Sequence, residues 1–250
     1  MLEILNKDNF EDFSGDKNEN YEDFKNYITE SGLHINCFYV DKDNWFMNRI
    51  WYIEEYITIP MPIASKDCID MFRLKDVVPA RRRLIEELKN ERDYVGIFTL
   101  IEKCYRMSYF LELYEELEDD EFLELFEFVY SSCEYNFDWL LKEDILQRIK
   151  EAQNLEKIKE KLVRKYDVQG DVITIYRGEA DESTHFKNGA VSWTLDYSVA
   201  SFFANRFSAQ NPRMYKANVL VKDILMLIDR EKEVVVTEDK LLNIENIKLN

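Results

Sequence analysis

The chain has 250 residues, enough for one large domain or one domain with a smaller appendage, and its 46% hydrophobic and 33% charged residues are the balance of a folded protein, not a disordered one. A formal charge of -17 argues against a simple binder of the phosphate backbone, which needs a basic surface. The charge is uneven: from Asp171 onward 12 acidic side chains meet 10 basic ones, net -2, whereas the first 170 residues carry 38 against 23, net -15. An anionic ligand meets less repulsion in the C-terminal part.

Residues 1–80 read as an acidic extension of unknown role. An Asn-rich opening leads to LHINCFYV, which predicts a strand, and then to NRIWYIEEYITIPMPIAS, where Pro60 and Pro62 stop what precedes them. Residues 81–250 read as one domain, helical over 81–166 and β-rich over 170–250. RRRLIEELKNERDYVGIFTLIEKCYRM predicts helix, broken near Gly96. Phe110, Leu113, Tyr114 and Leu117 fall at i, i+3, i+4 and i+7, and Phe122, Leu125, Phe126 and Val129 repeat that spacing, the pattern of helix faces turned to a core. Ile145, Ile149, Leu155, Ile158 and Leu162 mark a further helical run.

After Gly170 the character changes. VITIYRG and AVSWT predict short strands, and LDYSVASFFANRF a helix with Asp196 as N-cap and Val199, Ala200, Phe203, Ala204 and Phe207 turned inward. MYKANVLV alternates cleanly and EVVV supplies a last strand. Helices first and strands afterwards make an α+β arrangement.

Several chemistries find little footing. The four cysteines (Cys37, Cys68, Cys104, Cys133) form no CxxC pair and read as free thiols, not a zinc site. The two histidines, His185 in a polar loop and His34 in a predicted strand, give no metal set, so no metal is expected. No GxGxxG or P-loop is present, and Arg81–Arg83 reads as a solvated helix face. No apolar run approaches the roughly 20 residues that span a bilayer, and the opening lacks the basic and apolar regions of a secretory signal. A cytoplasmic chain without membrane association is the expectation.

Three motifs remain, each on a predicted strand or its end: Tyr176-Arg177-Gly178, Ser192-Trp193-Thr194, and Glu231-Lys232-Glu233 ahead of Val234-Val235-Val236. Singly, each has an ordinary reading, as a strand-end arginine, a strand hydroxyl and a surface acidic pair. In this order and context they resemble the R-S-E class of mono-ADP-ribosyltransferases, which comprises arginine-specific toxins and ecto-enzymes. SWTLDYSVASFFANRF and REKEVVV are also similar to phage and bacterial proteins associated with that fold. The motifs cover 165–250; 1–80 carry no resemblance.

The resemblance implies a small split β-sandwich behind a helical half, with NAD+ as substrate. It implies Glu233 as the carboxylate that stabilises the oxocarbenium-like ribose and Ser192 as its hydrogen-bonding partner. Arg177 would grip the phosphate or ribose side, and Glu231 would meet the acceptor nucleophile. Gly178, Trp193 and Thr194 complete the expected NAD+ contacts, Trp193 or Tyr176 stacking on nicotinamide or serving as core. The expected acceptor is a macromolecule, protein arginine first, and the chain would act as a phage or bacterial toxin or effector. An inhibitory or antitoxin partner is an open expectation. Transfer to RNA or DNA, and a non-catalytic binding protein on the same fold, are the alternatives. The middle motif is Ser-Trp-Thr where the family has Ser-Thr-Ser, with bulky Trp193 at its centre and Thr194 supplying the third hydroxyl, and the short loop before Glu231 lacks the aromatic that some toxins use to hold their target.

Overall fold

The computed structural model describes residues 2–14, 19–43, 49–132, 143–180, 186–188, 190–206 and 211–248. The expectations for Cys133, His185 and Phe207 lie outside the described residues. The chain is α+β with two antiparallel sheets and divides into two compact units, residues 1–116 with 132–134, and residues 117–131 with 135–250.

The first unit is built on a four-stranded antiparallel sheet in sequential order: β1 (Leu2–Ile4), β2 (Phe38–Asp41), β3 (Ile50–Glu54) and β4 (Ile57–Met61). Its helices are α1 (Phe10–Phe13), α2 (Tyr21–Glu30), α3 (Lys66–Met71), α4 (Leu74–Glu91), α5 (Tyr94–Thr99) and α6 (Lys103–Leu113). The segment expected to be an extension owns a core: Phe24, Phe38 and Tyr52 pack edge to face in a row, at 5.7 and 5.1 Å between rings. Helix α4 turns Leu74, Val78 and Ile85 into that same core. The boundary between compact units therefore falls after Glu116, not at 80/81, because α4 buries its apolar stripe with residues 5–64.

Two local readings also change. LHINCFYV is a 3-10 turn over Ile35–Cys37 before β2 begins. Pro60 does not end a strand but sits within β4, opposite Trp51. β4 is an edge strand, where a missing N–H costs no ladder bond. The helical run beginning at Arg81 ends at Arg92, in the left-handed conformation, before it reaches Gly96; Asp93 then caps α5 through the Gly96 amide.

The second unit holds α7 (Asp119–Ser132, of which 119–131 belong to this unit), α8 (Glu143–Ala152), α9 (Leu155–Tyr166) and α10 (Tyr197–Ala204) with six strands. These are β5 (Val172–Glu179), β6 (Ser192–Thr194), β7 (Arg213–Leu220), β8 (Met226–Ile228), β9 (Glu233–Val235) and β10 (Leu241–Ile247), in the order β10-β7-β5-β6-β9-β8. β5 and β7 pair over eight positions, from Val172↔Leu220 to Glu179↔Arg213, whereas β5 and β6 meet at the single pair Tyr176↔Thr194. The sheet is thus two three-stranded halves joined by one bridge, and it parts beyond that bridge, where Arg177 stands. Ile173, Ile175, Trp193, Ala217, Val219 and Val234 fill the core on one face.

Helix α10 sits on this sheet through its small residues. Its predicted N-cap is present, with Asp196 accepting the Ser198 amide. Ala200 and Ala204 are fully buried, while Val199 and Phe203 are only half-buried and line a cleft. The inward stripe is therefore narrower than the sequence suggested. The reason is Gly178: a Cβ there would stand 1.8 Å from the Ala200 carbonyl oxygen and 2.6 Å from the Ala204 nitrogen, so the helix backbone rests directly on the strand.

Candidate active site

All three motifs meet at one cleft of about 290 Å³ within the second unit, near the lower limit of small-molecule sites. Arg177, Gly178, Ser192, Trp193, Thr194, Glu231 and Glu233 all line it, with Val199, Phe203 and Arg206 on the α10 side.

The register explains the convergence. Thr194 pairs with Glu233 and, on its other side, with Tyr176. Residues paired across antiparallel strands share a face, as do residues two apart on one strand, so Ser192, Thr194, Tyr176 and Glu233 belong to one face. Trp193 belongs to the other. It is 1% exposed, and its ring packs against Phe186 at 5.8 Å, so the ring is committed to the core.

Glu233 is half-buried and its Oε1 accepts the Tyr130 hydroxyl at 2.8 Å. Burial pushes its carboxyl above the usual range, against hydrogen bonds from Ser192 and Tyr130 that pull it down; the charge of Glu231 adds to the rise and Arg177 opposes it. Partial burial strengthens the action of a carboxylate charge here on a neighbour.

Arg177 is more enclosed than the sequence suggested. Its Nε donates to Glu179 Oε1 at 3.0 Å and its Nη1 to the Ser192 carbonyl at 2.5 Å. Glu179 is fully buried and also accepts the Phe186 amide at 2.6 Å. These contacts let Arg177 tie β5 to β6 just where the strands separate, which sets where the Ser192 backbone lies.

The turn that carries the acidic pair is conformationally costly. Glu231 and Lys232 both adopt positive φ, at 64° and 49°, a region where residues with a Cβ carry a penalty of roughly 1–2 kcal/mol each. Six contacts hold it. The Thr194 hydroxyl donates to the Glu231 carbonyl at 2.7 Å, and the Leu195 amide to the Lys232 carbonyl at 3.0 Å. The Lys232 ammonium reaches Asp196 Oδ2 at 2.8 Å. Asp229 accepts the Tyr166 hydroxyl and the Lys165 ammonium, each at 2.6 Å, and pairs with Lys161 at 3.2 Å. Burial raises the Asp229 carboxyl, but these three donors outweigh it and hold it at about 2. Glu231 itself is exposed at the cleft, with Glu233 two residues on and less accessible.

Thr194 thus acts in two directions, since its Oγ1 also accepts the Asp196 amide at 3.0 Å and joins the turn to the start of α10. The third position of the S-x-T motif holds the turn while the first serves the carboxylate. Tyr130, Glu179, Phe203 as a cleft residue, and Arg206 went unread in the sequence. The Arg177-Glu179 spacing of two on a strand was a usable signal for a same-face pair. Tyr130 had none, because it continues an aromatic stripe whose other members are core.

Among the described residues no group of three His, Cys, Asp or Glu stands close enough to hold a metal, and no helix is long and apolar enough to cross a membrane. No family model matches the chain, and neither does any curated protein or solved structure.

Proposed function

We propose that the chain is an NAD+-dependent mono-ADP-ribosyltransferase that modifies a macromolecule, with protein arginine the favoured acceptor, acting as a toxin or effector of phage or bacterial type. The observation that carries the reading is the setting of Glu233, a carboxylate hydrogen-bonded by Ser192 and Tyr130 at a cleft that Arg177 also lines. The single-bridge sheet, which parts beside Arg177, is compatible with the split β-sandwich that the reading requires.

The residues of the cleft suit NAD+. Phe203 and Tyr176 offer rings for a planar base, and Arg206 and Arg177 bring positive charge for a pyrophosphate. NAD+ supplies a ribose whose bond to nicotinamide breaks with the electron pair leaving on nicotinamide, so that positive charge develops on the ribose. In this reading Glu233 supplies the fixed negative charge that stabilises that cation, a role worth a factor of 10² or more in rate. Glu231, exposed on the same turn, accepts the proton that an arginine nitrogen loses as it bonds to the ribose carbon. Thr194, Asp196 and Lys232 hold the two carboxylates at a fixed separation.

Incubation with labelled NAD+ and a cell lysate, followed by protease or nuclease, tests the reading. Label that is protease-sensitive and absent with Glu233→Gln is the expected result. Nuclease-sensitive label would move the acceptor to nucleic acid, and no label together with no nicotinamide release would leave a binding protein.

A further inference from the structure

We propose that Tyr130 is the positioning residue of the Glu233 carboxylate, the end of an aromatic column that fixes which oxygen is left to face the reacting ribose. The proposal rests on the reading of Glu233 as the carboxylate of the reaction. Along α7, Phe122, Phe126 and Tyr130 stand four residues apart on one face. Their rings follow one another, 6.2 Å from Phe122 to Phe126 and 5.7 Å from Phe126 to Tyr130, the last two nearly parallel at 23°. Phe122 is fully buried, Phe126 is 2% exposed and Tyr130 is 9% exposed.

A phenol locked this way has little rotamer freedom left, so its hydroxyl is delivered to Glu233 Oε1 at a fixed place. A core role alone would be served by a third phenylalanine. The hydroxyl instead enters a hydrogen-bonded set with Glu233 and Ser192. A second contact ties the same helix end to the same turn, since Arg230 donates to the Ser131 carbonyl at 3.3 Å. The neutral phenol donates and the carboxylate accepts: burial and the adjacent Glu233 charge push the Tyr130 hydroxyl well above its ordinary range, so it keeps its proton. With Oε1 engaged by Tyr130 and the same carboxylate also accepting from Ser192, the acceptor capacity that remains is directed to the cleft.

The test uses the full chain with 13C-labelled glutamate carboxyls, as wild type, Tyr130→Phe and Glu233→Gln, the last assigning the Glu233 resonance. In Tyr130→Phe the Glu233 titration midpoint should rise, because the lost bond favoured the ionised form. NAD+ cleavage should fall roughly ten- to a hundredfold, the range for one hydrogen bond to a charged group, and the acid limb of its pH profile should move up with the midpoint. An unchanged midpoint overturns the proposal whatever the enzyme does, and so does a displaced midpoint with an unchanged rate. A displaced midpoint in a chain whose wild type consumes no NAD+ rejects the transferase reading while supporting Tyr130 as the group that holds the carboxylate. If Tyr130→Phe does not fold, 3-fluorotyrosine at position 130 keeps the ring and strengthens the donor. The midpoint should then fall, and no displacement would overturn the proposal.

Discussion

The Thr194 hydroxyl and the Glu231 carbonyl are joined by a 2.7 Å hydrogen bond, which makes a strand residue the clamp of a turn 37 positions later. The turn needs a clamp because Glu231 and Lys232 both sit in the left-handed region. Thr194→Val keeps the shape of the side chain and removes the donor. It should cost about 1–3 kcal/mol by leaving the Glu231 carbonyl and the Asp196 amide each short of a partner, and should reduce transfer more than stability alone explains. Thr194→Ser should restore both. Thermal unfolding and nicotinamide release, measured on the three proteins, check this.

The strain in the turn predicts a conflict between stability and activity at Glu231. Glu231→Gly relieves the positive φ and should raise stability by about 1 kcal/mol, while labelling of an arginine acceptor falls. Glu231→Gln keeps the strain and should lose acceptor labelling while retaining part of NAD+ hydrolysis, because water can still attack. Equal loss of hydrolysis and transfer in Glu231→Gln would show that Glu231 has no separate task.

Arg177 and Glu179 form a buried pair, so removing one partner strands the other. Arg177→Met should destabilise by about 3–5 kcal/mol, and the double change Arg177→Met with Glu179→Leu should recover part of that loss without recovering activity. Denaturant titration of the two variants provides the measurement. A single change as stable as the wild type would show that the pair does not hold β5 to β6.

The helices are partly legible in the sequence, because periodicity fixes where apolar faces lie, whereas the core of residues 1–80 is not. Phe122, Leu125, Phe126 and Val129 are all buried as their spacing demands. What periodicity does not encode is which core a helix joins. The sequence places residues 81–91 of helix α4 in the domain over 81–250, yet the helix buries Leu74, Val78 and Ile85 with residues from the first 64. At the site, the motif residues are readable only together, by their order and strand context, since Arg, Ser and Glu each have an ordinary reading alone. Their supports are not. Tyr130 looks like any core aromatic, and Glu179 like any strand-end acid, until strand pairing brings distant residues together. The Gly178 requirement is of the same kind, arising from Ala200 and Ala204 more than twenty residues away.

Gly178→Ala offers a direct check of that packing. The added Cβ meets backbone atoms, not a flexible side chain, so α10 must move off the sheet at a cost of about 1–3 kcal/mol or more. Thermal unfolding should register the loss. An unchanged melting temperature would contradict the direct seating of α10 on β5.

The central claim is the proposed role of Glu233, a carboxyl in a place that disfavours its charge, and Glu233→Gln tests it most directly. Burial raises the folded-state value above the unfolded one, so the protonated form binds the fold better. Glu233 therefore adds stability that is full below the ordinary carboxylate range and is lost as pH rises through the raised value. The account predicts that Glu233→Gln, which mimics the protonated form, matches wild-type stability at acid pH and exceeds it at neutral pH. In the same neutral buffer it should release nicotinamide from NAD+ at least about a hundredfold more slowly. A folded Glu233→Gln protein that releases nicotinamide at the wild-type rate would contradict the account.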